Sequence, residues 1–289
     1  MKMSCVNTDE TTLAALASAS TFLFVPANRP ERYAKALASG AGAVIIDLED
    51  AIAPVDKQAA RQTLVQAVNG LDALQRRRLV VRINAAGTPW HADDLAALRD
   101  QGMGAVMVSK AESAATLAQV ASVMGPACAL LPLIESVAGL DAVDALAACS
   151  QVLRLVFGHL DFQADAGLAC GPDESELVPV RLALVLASRR AALAAPVDGI
   201  SPGTQDTTQL ALDAARSRRG GFGGKLCIHP AQVAPVKAAF APSAAELDWA
   251  RRVQSAFEQA GGGVFSLDGR MVDAPVMRLA QRTLALSQA

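Results

Sequence analysis

Residues Ala129 to Glu135 read ALLPLIE, six apolar residues closed by a carboxylate. A run this short is below helix length, and with no polar residue in alternation it fits a strand covered on both faces, as in a parallel sheet. RLVFGHLD, Arg154 to Asp161, repeats the design: an apolar core that ends in an acid. Working outward, six further runs of this kind lie at Thr21–Pro26, Ala43–Leu48, Leu79–Ile83, Ala105–Val108, Val197–Ile200 and Lys225–Ile228. Successive starts fall between 22 residues (Thr21 to Ala43) and 43 residues (Arg154 to Val197) apart. That spacing leaves room for a crossover helix between each pair, which parallel pairing requires. Eight such strands predict an α/β fold, a closed (β/α)8 TIM barrel, over residues 21–240. Residues 1–20 are rich in Ala, Ser and Thr, fit no strand pattern, and read as a disordered lead or a short helix.

The chain is 52% hydrophobic and 19% charged, the balance of a globular enzyme. With 26 Lys and Arg against 28 Asp and Glu, its net charge of -2 supplies no general attraction to nucleic acid or to an anionic membrane surface. Anionic ligands must be caught locally. Cys5, Cys128, Cys149, Cys170 and Cys227 form no CxxC pair and no disulfide framework, which points to a reducing cytoplasm. Asp9 and Glu10 follow Lys2 too closely for a secretion signal, and no 18-residue uncharged apolar run marks a membrane span.

In a barrel the active site is built from the residues just beyond the carboxyl end of each strand. Those positions are polar here: Asn28 and Arg29, then Asp47, Glu49 and Asp50, then Arg82 and Asn84, Lys110, Glu135, Asp161, Ser201 with Asp206, and His229. Glu135 and Asp161 come from adjacent strands and read either as solvated loop acids or as a Mg2+ pair. Two carboxylates leave coordination positions open for substrate oxygens and water, and we read them as the metal site, with Mn2+ an acceptable substitute. Arg82, inside LVVRIN, either forms a buried salt bridge to the acids of DLED or grips a substrate carboxylate or enolate oxygen. Alternation along an extended DLED sends Glu49 to the side opposite its neighbours, with at least one of Asp47, Glu49 and Asp50 supporting the metal or Arg82. Lys110 and His229 read as structural or phosphate-contacting, and His159 as a packed loop histidine. RRGGFGGK, from Arg218, precedes a strand instead of following one, so it is a tight turn and not a phosphate cradle.

FVPANRPERYAKAL (Phe24–Leu37), GAGAVIIDLEDAIAP (Gly40–Pro54) with Lys57 and Arg61 following, VVRIN, MVSKAES, LLPLIES, VFGHLDFQADAG, GFGGKLCIHPAQV and DGRMVDAP occur in order from Thr21 to the C-terminus. Together they resemble the citrate lyase β-subunit-like (CitE-like) family of the HpcH/HpaI aldolase/citrate lyase superfamily. The resemblance implies a barrel whose residues 241–289 form a C-terminal helical extension packed on a neighbouring subunit of a homotrimer or hexamer. It implies Mg2+ on Glu135 and Asp161, Arg82 on the substrate carbonyl, Glu49 and Asp50 beside the metal, and Asp273 supplied by the adjacent subunit as general acid or base.

The implied activity is cleavage of a 3-hydroxy dicarboxylic acyl-CoA of malyl, citramalyl, methylmalyl or citryl type, giving a keto acid and an acyl-CoA. Arg29, and less so Lys35, would meet the coenzyme A phosphates. A carrier-protein thioester, hydrolysis of the thioester, and a non-catalytic assembly subunit are the alternatives. Ala85 and Ala86, in RINAAGTPW, would give the pocket a wall of small residues.

Overall fold

Eight parallel strands close in chain order into a barrel: β1 (Thr21–Pro26), β2 (Ala43–Asp47), β3 (Leu79–Ile83), β4 (Ala105–Val108), β5 (Ala129–Ile134), β6 (Val156–Phe157), β7 (Val197–Asp198) and β8 (Gly224–Cys227). The computed structural model describes residues 8–99, 101–204, 206–260 and 263–286, so the reading of residues 1–7 lies outside it. β1, β3, β4 and β5 occupy the apolar runs end to end. β2 stops at Asp47, short of the apolar run, because the Asp47 carboxylate accepts the Glu49 and Ala51 amides and turns the chain.

Period-two alternation sorts each strand. Phe22, Ala43, Ile45, Val80, Ala105, Met107, Ala129, Leu131, Leu133, Val156, Val197 and Leu226 share one buried cluster inside the barrel. Continued upward with the same parity, the strands deliver Phe24, Asp47, Arg82, Ser109, Glu135 and Gly158 to its carboxyl-terminal mouth. The apolar layers thus form the floor on which the polar residues stand.

The opposite mouth is closed by the helix Thr8–Ser18, whose Leu16 is fully buried in that same cluster. Arg154, also buried, donates to the carbonyls of Leu16 (3.1 Å), Ala19 (2.6 Å) and Ala195 (2.7 Å) and lies over the Phe22 ring. Burial pulls its pKa down to about 9. This N-terminal helix therefore belongs to the barrel's core.

The chain divides into two compact units, residues 1–237 and 238–289. The second contains the helix Ala244–Gln259, a hairpin of β9 (Phe265–Leu267) and β10 (Arg270–Val272), and the helix Ala274–Leu286. Asp268 and Gly269 both take positive φ (51° and 73°), the requirement of the two-residue turn that matches strand twist. Its core is Ala250, Val253, Val272, Met277 and Ala280.

Candidate active site

Asp47 and Arg82 are register partners on β2 and β3, and both face the lumen. Arg82 Nε donates to Asp47 Oδ1 at 2.7 Å and Nη2 to Oδ2 at 2.6 Å, a bidentate pair. Its third nitrogen, Nη1, lies 2.8 Å from Glu49 Oε2 and 3.3 Å from Asp50 Oδ2. The Glu49 contact is close but out of line, so Oε2 is left without an aligned donor. The guanidinium stacks 4.9 Å from the centroid of Phe24.

The alternation expected through DLED does not hold, since the turn after Asp47 brings all three acids onto one guanidinium. Burial pushes Glu49 up to about 7, with Arg82 opposing and Asp50 and Asp47 adding to it. Both readings of Arg82, buried salt bridge and mouth-facing cation, describe the same side chain, because the pair sits in the cavity wall.

That cavity, about 860 Å³, opens at the carboxyl ends of the strands. Asp47, Asp50, Arg82, Glu135 and Asp161 all line it, beside apolar walls from Phe24, Leu133, Phe157, Ile200 and Leu226. Glu135 immediately follows β5 and is buried, its Oε1 accepting the Lys110 amide at 2.7 Å. Lys110 takes φ 45° to aim that amide. Asp161 is not at a strand end; it is exposed, in the first turn of the helix His159–Ala166.

Burial raises Glu135 to about 8, and Glu49 and Asp161 add to the rise against the Lys110 amide and Arg82. A buried carboxyl pushed up by its acidic neighbours is the site a divalent cation would relieve. Among the described residues no three His, Cys, Asp or Glu side chains form a ready-made cage; Glu135 and Asp161 are two cavity carboxylates that could hold a cation with positions left open.

Gly158 makes room for this carboxylate. A Cβ there would stand 2.6 Å from Glu135 Cβ and 2.7 Å from Oε2. Gly158→Ala is therefore expected to weaken Mg2+ binding roughly 10- to 100-fold without unfolding the barrel. Titration calorimetry beside a circular dichroism melt checks this, and unchanged affinity would mean that Glu135 does not hold the ion.

Arg29 does not line the cavity; it is exposed and bonded to Glu31 at 2.8 Å. Arg32 and Lys35, one and two helical turns on, do line it, as does His229. The His229 Nδ1 accepts the Ala231 amide at 3.2 Å, which leaves Nε2 to carry the proton in the neutral ring. The FVPANRPERYAK segment held the signal for Arg32, whose three-residue offset from Arg29 puts it on the short helix instead of the strand end. Ala85 and Ala86 stay out of the lining. His159 is buried against Gly199, with Nε2 3.4 Å from Glu174. Asp273 belongs to the second unit, where its carboxylate accepts the Val276 amide at 3.2 Å.

The sequence pattern of HpcH/HpaI aldolase/citrate lyase matches residues 20–230, the barrel and its cavity. The chain belongs to that family. Its family relatives include a "citrate lyase subunit beta-like protein" of Mycobacterium tuberculosis, 36% identical over 268 residues, 91% of this chain and 93% of the relative. A "(3S)-malyl-CoA thioesterase" of Cereibacter sphaeroides is 33% identical over 270 residues, 92% of this chain and 94% of the relative. The crystal structure of CitE from M. tuberculosis in complex with magnesium, acetoacetate and coenzyme A superposes with a TM-score of 0.84 at 35% identity, covering 94% of this chain and all of that one. Among the described residues no helix is long and apolar enough to cross a membrane.

Proposed function

We propose that this chain is a Mg2+-dependent carbon–carbon lyase that splits a 3-hydroxy dicarboxylic acyl-CoA into a keto acid and an acyl-CoA. The observation that carries the reading is the placement of Glu135 and Asp161 in one cavity with Arg82, an arginine locked in orientation by Asp47. A family relative solved with magnesium, acetoacetate and coenzyme A supports it.

A magnesium ion on the two carboxylates would polarise the oxygens of the keto-acid half and lower the pKa of its hydroxyl. Loss of that proton to a base lets the carbon–carbon bond break, the electron pair passing to the thioester α-carbon as an enolate. Arg82 stabilises the oxygen of that enolate; because Asp47 already fixes the fork, little reorganisation is needed. Glu49 and Asp50 hold the third guanidinium nitrogen. Asp273, contributed by residues 238–289 of a neighbouring copy, returns a proton to the enolate carbon. Arg32, Lys35 and His229 supply donors for the coenzyme A phosphates at the rim.

The thioesterase reading is favoured by one specific observation, the relative of that name at 33% identity. A panel of malyl-, citramalyl-, methylmalyl- and citryl-CoA, assayed separately for keto acid and free CoA, separates the two. Keto acid that vanishes with EDTA and in Asp161→Ala is the expected result. Free CoA without keto acid would establish hydrolysis instead.

A further inference from the structure

A buried ammonium stands behind the acidic turn. Lys57, 5% exposed, opens the helix Lys57–Asn69. It donates three hydrogen bonds: to the Leu48 carbonyl at 2.7 Å, the Glu49 carbonyl at 2.7 Å and Asn84 Oδ1 at 2.6 Å. Three donors are all an ammonium has. The Trp90 ring covers it, with the centroid 5.2 Å from Nζ.

Asn84 reinforces the same clamp, donating to Leu48 O at 3.0 Å and to Asp94 Oδ2 at 2.6 Å, while Arg61 Nε holds Asp94 Oδ1 at 3.0 Å. With Leu48 N on Arg82 O, Glu49 N on Asp47 Oδ1 and Ile52 N on Glu49 O, the backbone polar groups of Leu48 and Glu49 are all engaged. A buried cation spent on main-chain carbonyls contributes little net stability, since desolvation offsets its bonds. Its contribution is geometric. The turn it pins is the one that carries Glu49 and Asp50 to Arg82.

We propose that Lys57 is a positioning residue for the reaction, clamping the Leu48–Asp50 turn so that Glu49 and Asp50 hold the third guanidinium nitrogen of Arg82 while Asp47 holds the other two. The inference rests on the function proposed above, in which Arg82 stabilises the enolate. It assigns Lys57 no contact with substrate or metal.

The test compares Lys57→Met, Lys57→Arg, Asn84→Ala and the Lys57→Met/Asn84→Ala double variant with the wild type, all in the full chain. Because the displaced turn reaches the substrate through Arg82, kcat should fall roughly 10²-fold in Lys57→Met while KM stays within about threefold. Lys57→Arg should not restore kcat, because a planar guanidinium cannot donate from a single atom to Leu48 O, Glu49 O and Asn84 Oδ1 as the ammonium does. The double variant should be no worse than the poorer single, since both remove one clamp.

Amide exchange read by mass spectrometry should quicken in residues 48–53 and stay unchanged elsewhere in the barrel. Unaltered exchange in that peptide, recovery of kcat by Lys57→Arg, or a loss carried mainly by KM would each overturn the proposal. Should Lys57→Met not fold, Asn84→Ala carries the same comparison. If the wild type yields neither keto acid nor free CoA, the proposed function fails, and the exchange result still decides whether Lys57 holds the turn.

Discussion

Arg82→Met should be both the most destabilised and the least active single variant of the barrel. Removing the guanidinium takes away the bidentate partner of Asp47 and the cation beside Glu49 and Asp50, leaving three carboxylates clustered around an apolar side chain. Breaking a buried pair by deleting one partner costs about 3–5 kcal/mol, because the desolvated charge that remains is uncompensated. Losing an oriented donor to a developing oxyanion costs roughly 10²- to 10³-fold in kcat. The two losses separate in Arg82→Lys, which keeps a charge but not the fork: stability should largely return while turnover does not.

The deficit also has a pH signature. Glu49 already stands at about 7, above its ordinary value of 4.5, against the opposition of Arg82. Without the guanidinium its carboxyl rises further. A raised folded-state pKa contributes stability that is fully present below 4.5 and lost as pH rises through the folded value. Arg82→Met should therefore be closest to wild type near pH 5 and furthest from it at pH 8. Urea unfolding at the two pH values measures this; a gap that does not widen with pH would show that Glu49 is not held by Arg82.

Much of this site is legible in the amino-acid sequence, and the parts that are not fail for identifiable reasons. The eight strands are readable because strands covered on both faces leave unbroken apolar runs, and the parity of Ile45, Val80 and Leu133 carries straight on to Asp47, Arg82 and Glu135. Alternation wrongly separates Glu49 from Asp50 because it does not extend past the strand's last residue. The Asp47 side chain ends the strand by bonding the amides two and four residues on, and a side-chain turn of this kind leaves no periodicity to read. Arg29 stands out in sequence over Arg32 for a similar reason. The sequence shows a basic cluster, but which member reaches the mouth depends on the local turn and on Glu31, which holds Arg29 outside. The helix Thr8–Ser18 reads equally as lead or helix because its composition is bland; what fixes it is the distant Arg154, 138 residues away in sequence from Leu16. Such long-range contacts are settled only by closing the barrel.

Glu135 decides the second large effect, through the metal. In the metal-free chain its carboxyl is held at about 8, by burial first and then by Glu49, so at neutral pH it retains a proton. A divalent cation needs the ionised form, and binding must expel that proton. Mg2+ affinity should therefore fall as pH drops below about 8, by up to tenfold per unit. Calorimetry at pH 7 in buffers of different ionisation enthalpy should show proton release approaching one per ion. The metal-free protein should behave oppositely: a carboxyl raised from 4.5 to about 8 loses stability across that interval as pH rises, about 1.4 kcal/mol per unit in the steepest case. Adding Mg2+ should accordingly raise Tm more at pH 8 than at pH 6.

Glu135→Gln removes the Glu135 share of both trends, since the amide neither titrates nor carries charge. Its Mg2+ affinity should fall at least roughly 10²-fold and its metal-free Tm should fall less steeply between pH 6 and 8, the remaining slope belonging to Glu49. If the variant binds Mg2+ as the wild type does, the ion lies elsewhere. If wild-type affinity is flat with pH while Glu135→Gln still loses it, Glu135 is a ligand already ionised at neutral pH, and the repulsion attributed to Glu49 and Asp161 is being relieved by water in the open mouth.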